Sequence, residues 1–226
     1  MHKKPLIILQ ARTNSSRLPG KSLLTIAHRP IAVLSAQRLS NSGLQTIVAI
    51  SDDHRDDCLE AELRFYNLNV FRGSLQNPFL RYKSLIQEMN NLEVVVRATA
   101  DNVFPDGELC ESLFSEFIDS GLRYMQINGK PSGVPNGLRL EFFYARDLLS
   151  IDVKNLTEFE CEHVTPRLIS MYGSNYIKKF YEMNCGHLSA TIDTFNDYIK
   201  IAKLFISIDD PVNISWQTLI ERLKNV

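Results

Sequence analysis

The chain has 226 residues, 44% of them hydrophobic and 23% charged, with a formal net charge of -1 at pH 7. That length and composition suit one soluble globular domain, and the near-zero charge excludes bulk attraction to nucleic acid or to an anionic membrane. No apolar run reaches the ~18–20 residues that cross a bilayer, so no membrane partner is expected. The opening Met-His-Lys-Lys-Pro passes straight into an apolar segment without a leader-like region. Four cysteines, Cys58, Cys110, Cys161 and Cys185, stand far apart with no C-x-x-C pair, so reduced thiols and a cytoplasmic location are expected.

An apolar run at 6–9 predicts a buried strand that empties into a polar loop. A helix is expected at 30–40, with Pro30 suited to its first turn. A strand at 46–50, a helix at 53–66, a short strand at 69–71, a helix at 77–89 and a strand at 93–97 follow. Ser51, Asp52 and Asp53 supply capping side chains for the second helix, and Asp106 for one at 107–119. Strands separated by helices of this length imply right-handed βαβ units and a largely parallel sheet. Beyond Gly121 the pattern loosens. A strand at 123–127, a Gly- and Pro-rich loop at 129–137 and an alternating strand at 138–144 are expected, then helices at 145–151 and 158–171. A strand at 188–192 and helices at 195–208 and 215–223 complete the chain. The fold class expected is α/β: a single three-layer αβα domain, Rossmann-like, with a mostly parallel mixed sheet. Its second half carries a small insertion at about 121–187, after a first half at about 1–120 that would bind the ligand.

The loop after the first strand holds Arg12, Arg17 and Lys21 among Asn14, Ser15, Ser16 and Gly20. Guanidiniums grip phosphate oxygens in pairs, an ammonium acts as a point charge, and backbone N–H groups fill the gaps. A solvated basic turn is the bland alternative. Its position beyond a first strand, where α/β sheets bind ligands, favours a polyphosphate. Neither G-x-x-x-x-G-K-S/T nor G-x-G-x-x-G is present. After the fourth strand, Arg97-Ala98-Thr99-Ala100-Asp101 leads to Pro105. A carboxylate beside a triphosphate needs a hard cation between them, which makes Asp101 a candidate Mg²⁺ ligand, a helix cap or turn being the alternative.

These residues resemble the sugar-activating cytidylyltransferases, which include the enzymes that make CMP-linked 3-deoxy-ulosonic acids. The likeness is closest to the spore coat polysaccharide biosynthesis branch. Ala11, Arg12, Ser15, Arg17, Leu18, Pro19, Gly20 and Lys21 match A-R-x-x-S-x-R-L-P-G-K, while Thr13 and Asn14 depart from it. Asp101 matches the aspartate of R-x-T-G-D-x-P, with Ala100 in place of its glycine. Thr191, Asp193, Thr194 and Asp197 match T-x-D-T-x-x-D, in which the first aspartate completes the metal site; Asp193 or Thr194 as a helix cap is the other reading. Phe71-Arg72-Gly73-Ser74 and Arg81-Tyr82 match the family's base and ribose region, although Asn77-Pro78 departs from it and Arg72 is equally an ion-pair candidate. Pro135-Asn136-Gly137 with Glu141, and Glu162-His163-Val164-Thr165-Pro166, resemble acceptor-facing motifs.

The resemblance implies a Mg²⁺-dependent transfer of CMP from CTP to a sugar acid or phosphorylated polyol, with release of pyrophosphate, in a homodimer. Arg12, Arg17, Lys21 and Asp101 are the catalytic candidates, with Asp101 and Asp193 on the metal. Gln10, Ala11, Arg12, Ser15, Ser16, Arg17, Lys21, Ser51, Arg72, Gly73, Ser74 and Thr99 are the nucleotide candidates. Arg97, Arg139, Glu141, Glu162, His163 and Thr165 are the acceptor candidates. Two rivals remain. A nucleotide-sugar glycosyltransferase would present D-x-D after a strand, which is absent here. A nucleotide-binding relative with little catalysis is suggested by Ala100, Asn77-Pro78 and Asn136.

Overall fold

The computed structural model describes residues 3–226. The chain runs β1 (Leu6–Gln10), β2 (Thr25–Ile26), β3 (Arg29–Pro30), α1 (Ile31–Ser40), β4 (Thr46–Ser51), α2 (Asp57–Phe65), β5 (Asn69–Gly73), α3 (Pro78–Glu88) and β6 (Val94–Thr99). It continues with α4 (Gly107–Ser120), β7 (Tyr124–Ile127), α5 (Gly129–Ser132), β8 (Leu140–Tyr144), α6 (Ala145–Leu149), α7 (Glu158–His163), α8 (Pro166–Tyr172), α9 (Phe195–Leu204) and α10 (Trp216–Leu223).

The main sheet has the order β5-β4-β1-β6-β8-β7. β1 is parallel to β4 and β6, β4 is parallel to β5, and β8 is antiparallel to both β6 and β7. Successive residues of β1 face opposite sides, as the pleat requires. Ile7 and Leu9 join the core under α1 and α4, whereas Leu6 and Ile8 join the core under α3 and α6. The result is the expected three-layer αβα domain. The chain leaves β1 for β4 and β5 on one side and returns to β6 on the other. A crevice therefore opens at the carboxyl ends of β1 and β6, where Gln10 pairs with Thr99.

Four local expectations are corrected. The helix expected at 158–171 is two helices, because Pro166 lacks an N–H and clashes with a preceding turn, so it starts α8 rather than continuing α7. The segment at 188–192 is not a sheet strand: it carries a single β-bridge, between Asn136 and Ser189, and is otherwise held by bonds such as that from the Ile192 amide to the Asp101 carbonyl. The loop at 129–137 contains the single turn α5. The β2–β3 hairpin has no sequence signal: its turn places Ala27 and His28 at φ 48 and 63, without the Gly or Asn that normally marks such a turn. β7 and β8, which lie within the expected insertion at about 121–187, extend the main sheet itself.

Candidate active site

The loop from β1 is closed on itself by two bonds. The Gly20 amide donates to the Thr13 carbonyl at 2.8 Å, and the Ser22 hydroxyl to the Arg12 carbonyl at 2.7 Å. Gly20 takes φ 71, which a side chain would resist. This closure turns Lys21 inward, and its ammonium meets three oxygens from two distant segments. It lies 3.1 Å from Asp101 Oδ2, 3.1 Å from Asp193 Oδ1 and 2.8 Å from the Ile192 carbonyl. Arg17 adds an ion pair to Asp193 at 3.0 Å.

The Asp101 carboxylate is held from behind. The Thr99 hydroxyl donates to Asp101 Oδ1 at 2.6 Å, and Asn102 Nδ2 donates to that hydroxyl at 2.8 Å. The Ile192 amide donates to the Asp101 carbonyl at 2.9 Å, fastening the two acidic segments together. Asp193 caps nothing. Thr194 is the N-cap of α9, and Asp197 completes the capping box. Asp193 is therefore free to face the crevice.

A cavity of about 350 Å³ lies between the β1 loop and α7. Of the expected site residues, Gln10, Ala11, Arg12, Ser15, Ser16, Arg17, Lys21, Thr99, Asp101, Glu162, His163 and Asp193 line it. Arg12 pairs with Glu162 across the mouth at 3.5 Å. His163 packs against the Phe159 ring with centroids 4.4 Å apart. A second cavity of about 720 Å³ shares Arg12 and Glu162 and reaches Gln76 and Asn77 beyond β5.

The other expected site residues lie elsewhere. The Ser51 hydroxyl donates to buried Asp56. Arg72 is engaged by Asp57 at 2.6 Å and Glu60 at 2.9 Å, and also donates to the Ser51 and Asp53 carbonyls. Gly73 packs so closely on Arg81 that a Cβ would fall 2.9 Å from its Cγ. The Ser74 carbonyl accepts from Arg81 at 2.8 Å. These four brace the β4–α2 and β5–α3 connections.

Arg97, Glu141, Thr165 and Arg139 form a network rather than an acceptor site. Arg97 pairs with Glu141 inside the fold and donates to Gln10 Oε1 at 3.2 Å. Glu141 is fully buried. It also accepts from the Thr165 hydroxyl at 2.6 Å, the Tyr124 hydroxyl at 2.7 Å and Arg139 at 3.2 Å. Burial pushes its carboxyl up, but the Arg97 and Arg139 guanidiniums and the two hydroxyls outweigh that and hold it well below the usual range. Sequence spacing missed this network because its members sit on separate elements.

Between His163 and Thr165 the chain makes a tight turn. Val164 takes φ 69 and ψ -55, and the Thr165 amide donates to the His163 carbonyl at 2.8 Å. This is a strained three-residue turn, costing about 1–3 kcal/mol. Burial of Val164 in the core under α3 and the Thr165–Glu141 bond offset it. The turn leaves Glu162 and His163 at the cavity.

A family profile described as cytidylyltransferase matches residues 6–205. The chain belongs to the cytidylyltransferase family. As a member of that family it is an enzyme of the nucleotidyltransferase type. This cytidylyltransferase is 29% identical over 228 residues to the spore coat polysaccharide biosynthesis protein SpsF of Bacillus subtilis (strain 168), spanning 96% of the chain and 93% of that protein. A cytidylyltransferase from Leptospira borgpetersenii superposes with a TM-score of 0.88 at 25% identity, over 99% of this chain and 95% of that one. A CMP:2-keto-3-deoxy-manno-octonic acid synthetase complexed with CTP shares the fold, with a TM-score of 0.64 at 15% identity over 89% and 98% of the two chains.

Proposed function

We propose that this enzyme is a Mg²⁺-dependent cytidylyltransferase that transfers CMP from CTP to a sugar acid or related acceptor, for surface polysaccharide synthesis. One observation carries the reading: Lys21 draws Asp101 and Asp193 to a single point at the mouth of a cationic loop. The name of the Bacillus relative supports the polysaccharide setting, and the CTP complex of the octonic acid synthetase supports the nucleotide.

The side chains present fit a magnesium ion. Two carboxylates that reach one ammonium would reach one small cation there, and an all-oxygen donor set suits Mg²⁺. Among the described residues, no group of three or more His, Cys, Asp or Glu side chains is placed to hold a metal. Asp101 and Asp193 would thus hold it together with phosphate oxygens and water. Bound there, the ion would neutralise charge on the phosphates.

The acceptor oxygen attacks the α-phosphorus, a new P–O bond forms, a hydroxyl acceptor releases its proton to solvent, and the bond to the bridging oxygen breaks as pyrophosphate leaves. Arg12, Arg17 and Lys21 stabilise the charge that develops on the α-phosphate and on the leaving oxygen. Glu162 and His163, facing the loop across the cavity, contact the acceptor. The larger adjoining cavity provides room for the nucleoside beside Gln76 and Asn77. Cytoplasmic residence and homodimerisation belong to the same reading. Sedimentation tests the homodimer.

The experiment is a screen of the four nucleoside triphosphates against sugar acids and phosphorylated polyols, monitored by pyrophosphate release with and without Mg²⁺. Release with CTP and one acceptor is expected. Binding of CTP without release across the panel would sink the catalytic reading.

A further inference from the structure

One buried carboxylate has no part in this chemistry. Asp56 is 1% exposed and ends the 3-10 turn His54–Asp56 after β4. Its Oδ1 accepts from the Thr13 amide at 2.8 Å and the Thr13 hydroxyl at 2.6 Å. Its Oδ2 accepts from the Ser51 amide at 3.0 Å and from the Ser51 hydroxyl. Burial pushes this carboxyl up, but the Ser51 and Thr13 donors outweigh it and hold it below the usual range. Both oxygens are committed inside the fold, and Asp56 does not line the cavity.

Thr13 is the point at which the cationic loop closes, since its carbonyl receives the Gly20 amide. Arg12 precedes that junction, Arg17 lies within the loop, and Lys21 follows Gly20. We propose that Asp56 is the positioning residue of this loop. It ties Thr13 to the end of β4 and so fixes where the three cations stand when a triphosphate arrives. The proposal rests on the reading that the loop takes the triphosphate.

The geometry demands a carboxylate. Each oxygen meets a backbone N–H, which cannot rotate away as a hydroxyl can. An asparagine would point its NH₂ at one of those amides in either orientation. The Thr13 hydroxyl is a lesser contributor, because Oδ1 keeps the Thr13 amide without it.

Titration calorimetry with CTP plus Mg²⁺, and separately with inorganic tripolyphosphate, tests the assignment. Asp56→Asn is expected to weaken both ligands by about tenfold or more, measured where the variant is folded. Thr13→Val is expected to weaken them by about threefold, and Thr13→Ser to restore the parent constants. A purely structural role would lower the Tm of Asp56→Asn and leave both constants within about twofold of the parent, which overturns the proposal. Should Asp56→Asn not fold, equal constants for Thr13→Val and Thr13→Ser overturn it instead. A parent protein that binds neither ligand removes the triphosphate reading and the proposal together. Tight binding by parent and Asp56→Asn alike removes the proposal alone.

Discussion

Lys21 lies equidistant from two carboxylates that are 80 and 172 residues further along the chain. Its role is twofold. Without ligand it pairs with Asp101 and Asp193; in the proposed reaction it would meet phosphate oxygens and leave the carboxylates to the metal. Loss of one positioned catalytic donor typically costs about 10²–10³ in rate. Lys21→Ala and Asp101→Asn should each cut pyrophosphate release by about that factor, with Tm unchanged. Near-normal turnover by both would remove the assignment. Lys21→Met removes the cation from Asp101 and leaves Asp193 with Arg17 alone, so it should bind Mn²⁺ alone more tightly while binding CTP more weakly. Paired calorimetric titrations would show whether the two affinities move in opposite directions. Chain position, together with the cytidylyltransferase-like motifs, marks these residues, because each follows the carboxyl end of a strand or an apolar run. It did not separate them from Arg72, whose guanidinium is held by Asp57 and Glu60, or from Arg97, which is held by Glu141 inside the fold.

At the scale of elements, the break between α7 and α8 decides which side chains face the cavity. Apolar spacing at 158–171 reads as one helix, since Val164 and Leu168 recur at helical intervals. Pro166 and the Val164 turn divide it, and the Thr165 hydroxyl fastens the division to Glu141. Thr165→Val preserves shape but leaves a buried carboxylate one donor short, which should cost about 1–3 kcal/mol. Urea unfolding should show that loss, with Thr165→Ser near the parent; an equal midpoint for Thr165→Val would show that the bond contributes nothing. The capping box of α9 acts similarly on the other side of the crevice. By assigning the cap to Thr194 and Asp197, it leaves Asp193 available to Lys21.

For the whole molecule, burial of Glu141 links the sheet to α8 and makes stability depend on acidity. Its folded carboxyl lies at about 2, against an ordinary value of 4.5. The depressed value means that the unfolded chain takes up the proton first. Its contribution is therefore complete above pH 4.5 and is lost as pH falls toward 2. Urea midpoints measured down that range should fall more steeply for the parent than for Glu141→Gln. At neutral pH that variant should itself be about 3–5 kcal/mol less stable, because Arg97 is left buried without its partner. A parent profile no steeper than the variant's would remove Glu141 as the acid-sensitive group. The sequence by itself determined the alternation of strands and helices, the cationic loop after β1 and the acidic residues after β6 and before α9. Those are local properties, set by hydrophobic period, capping side chains and position in the chain. Only the tertiary structure decided which charged groups remain available to a ligand. Arg97 and Glu141 are 44 residues apart, and Thr13 and Asp56 are 43 apart. Such pairings depend on strand register and on burial, which raises the cost of an unpaired charge, and neither is visible in the order of residues.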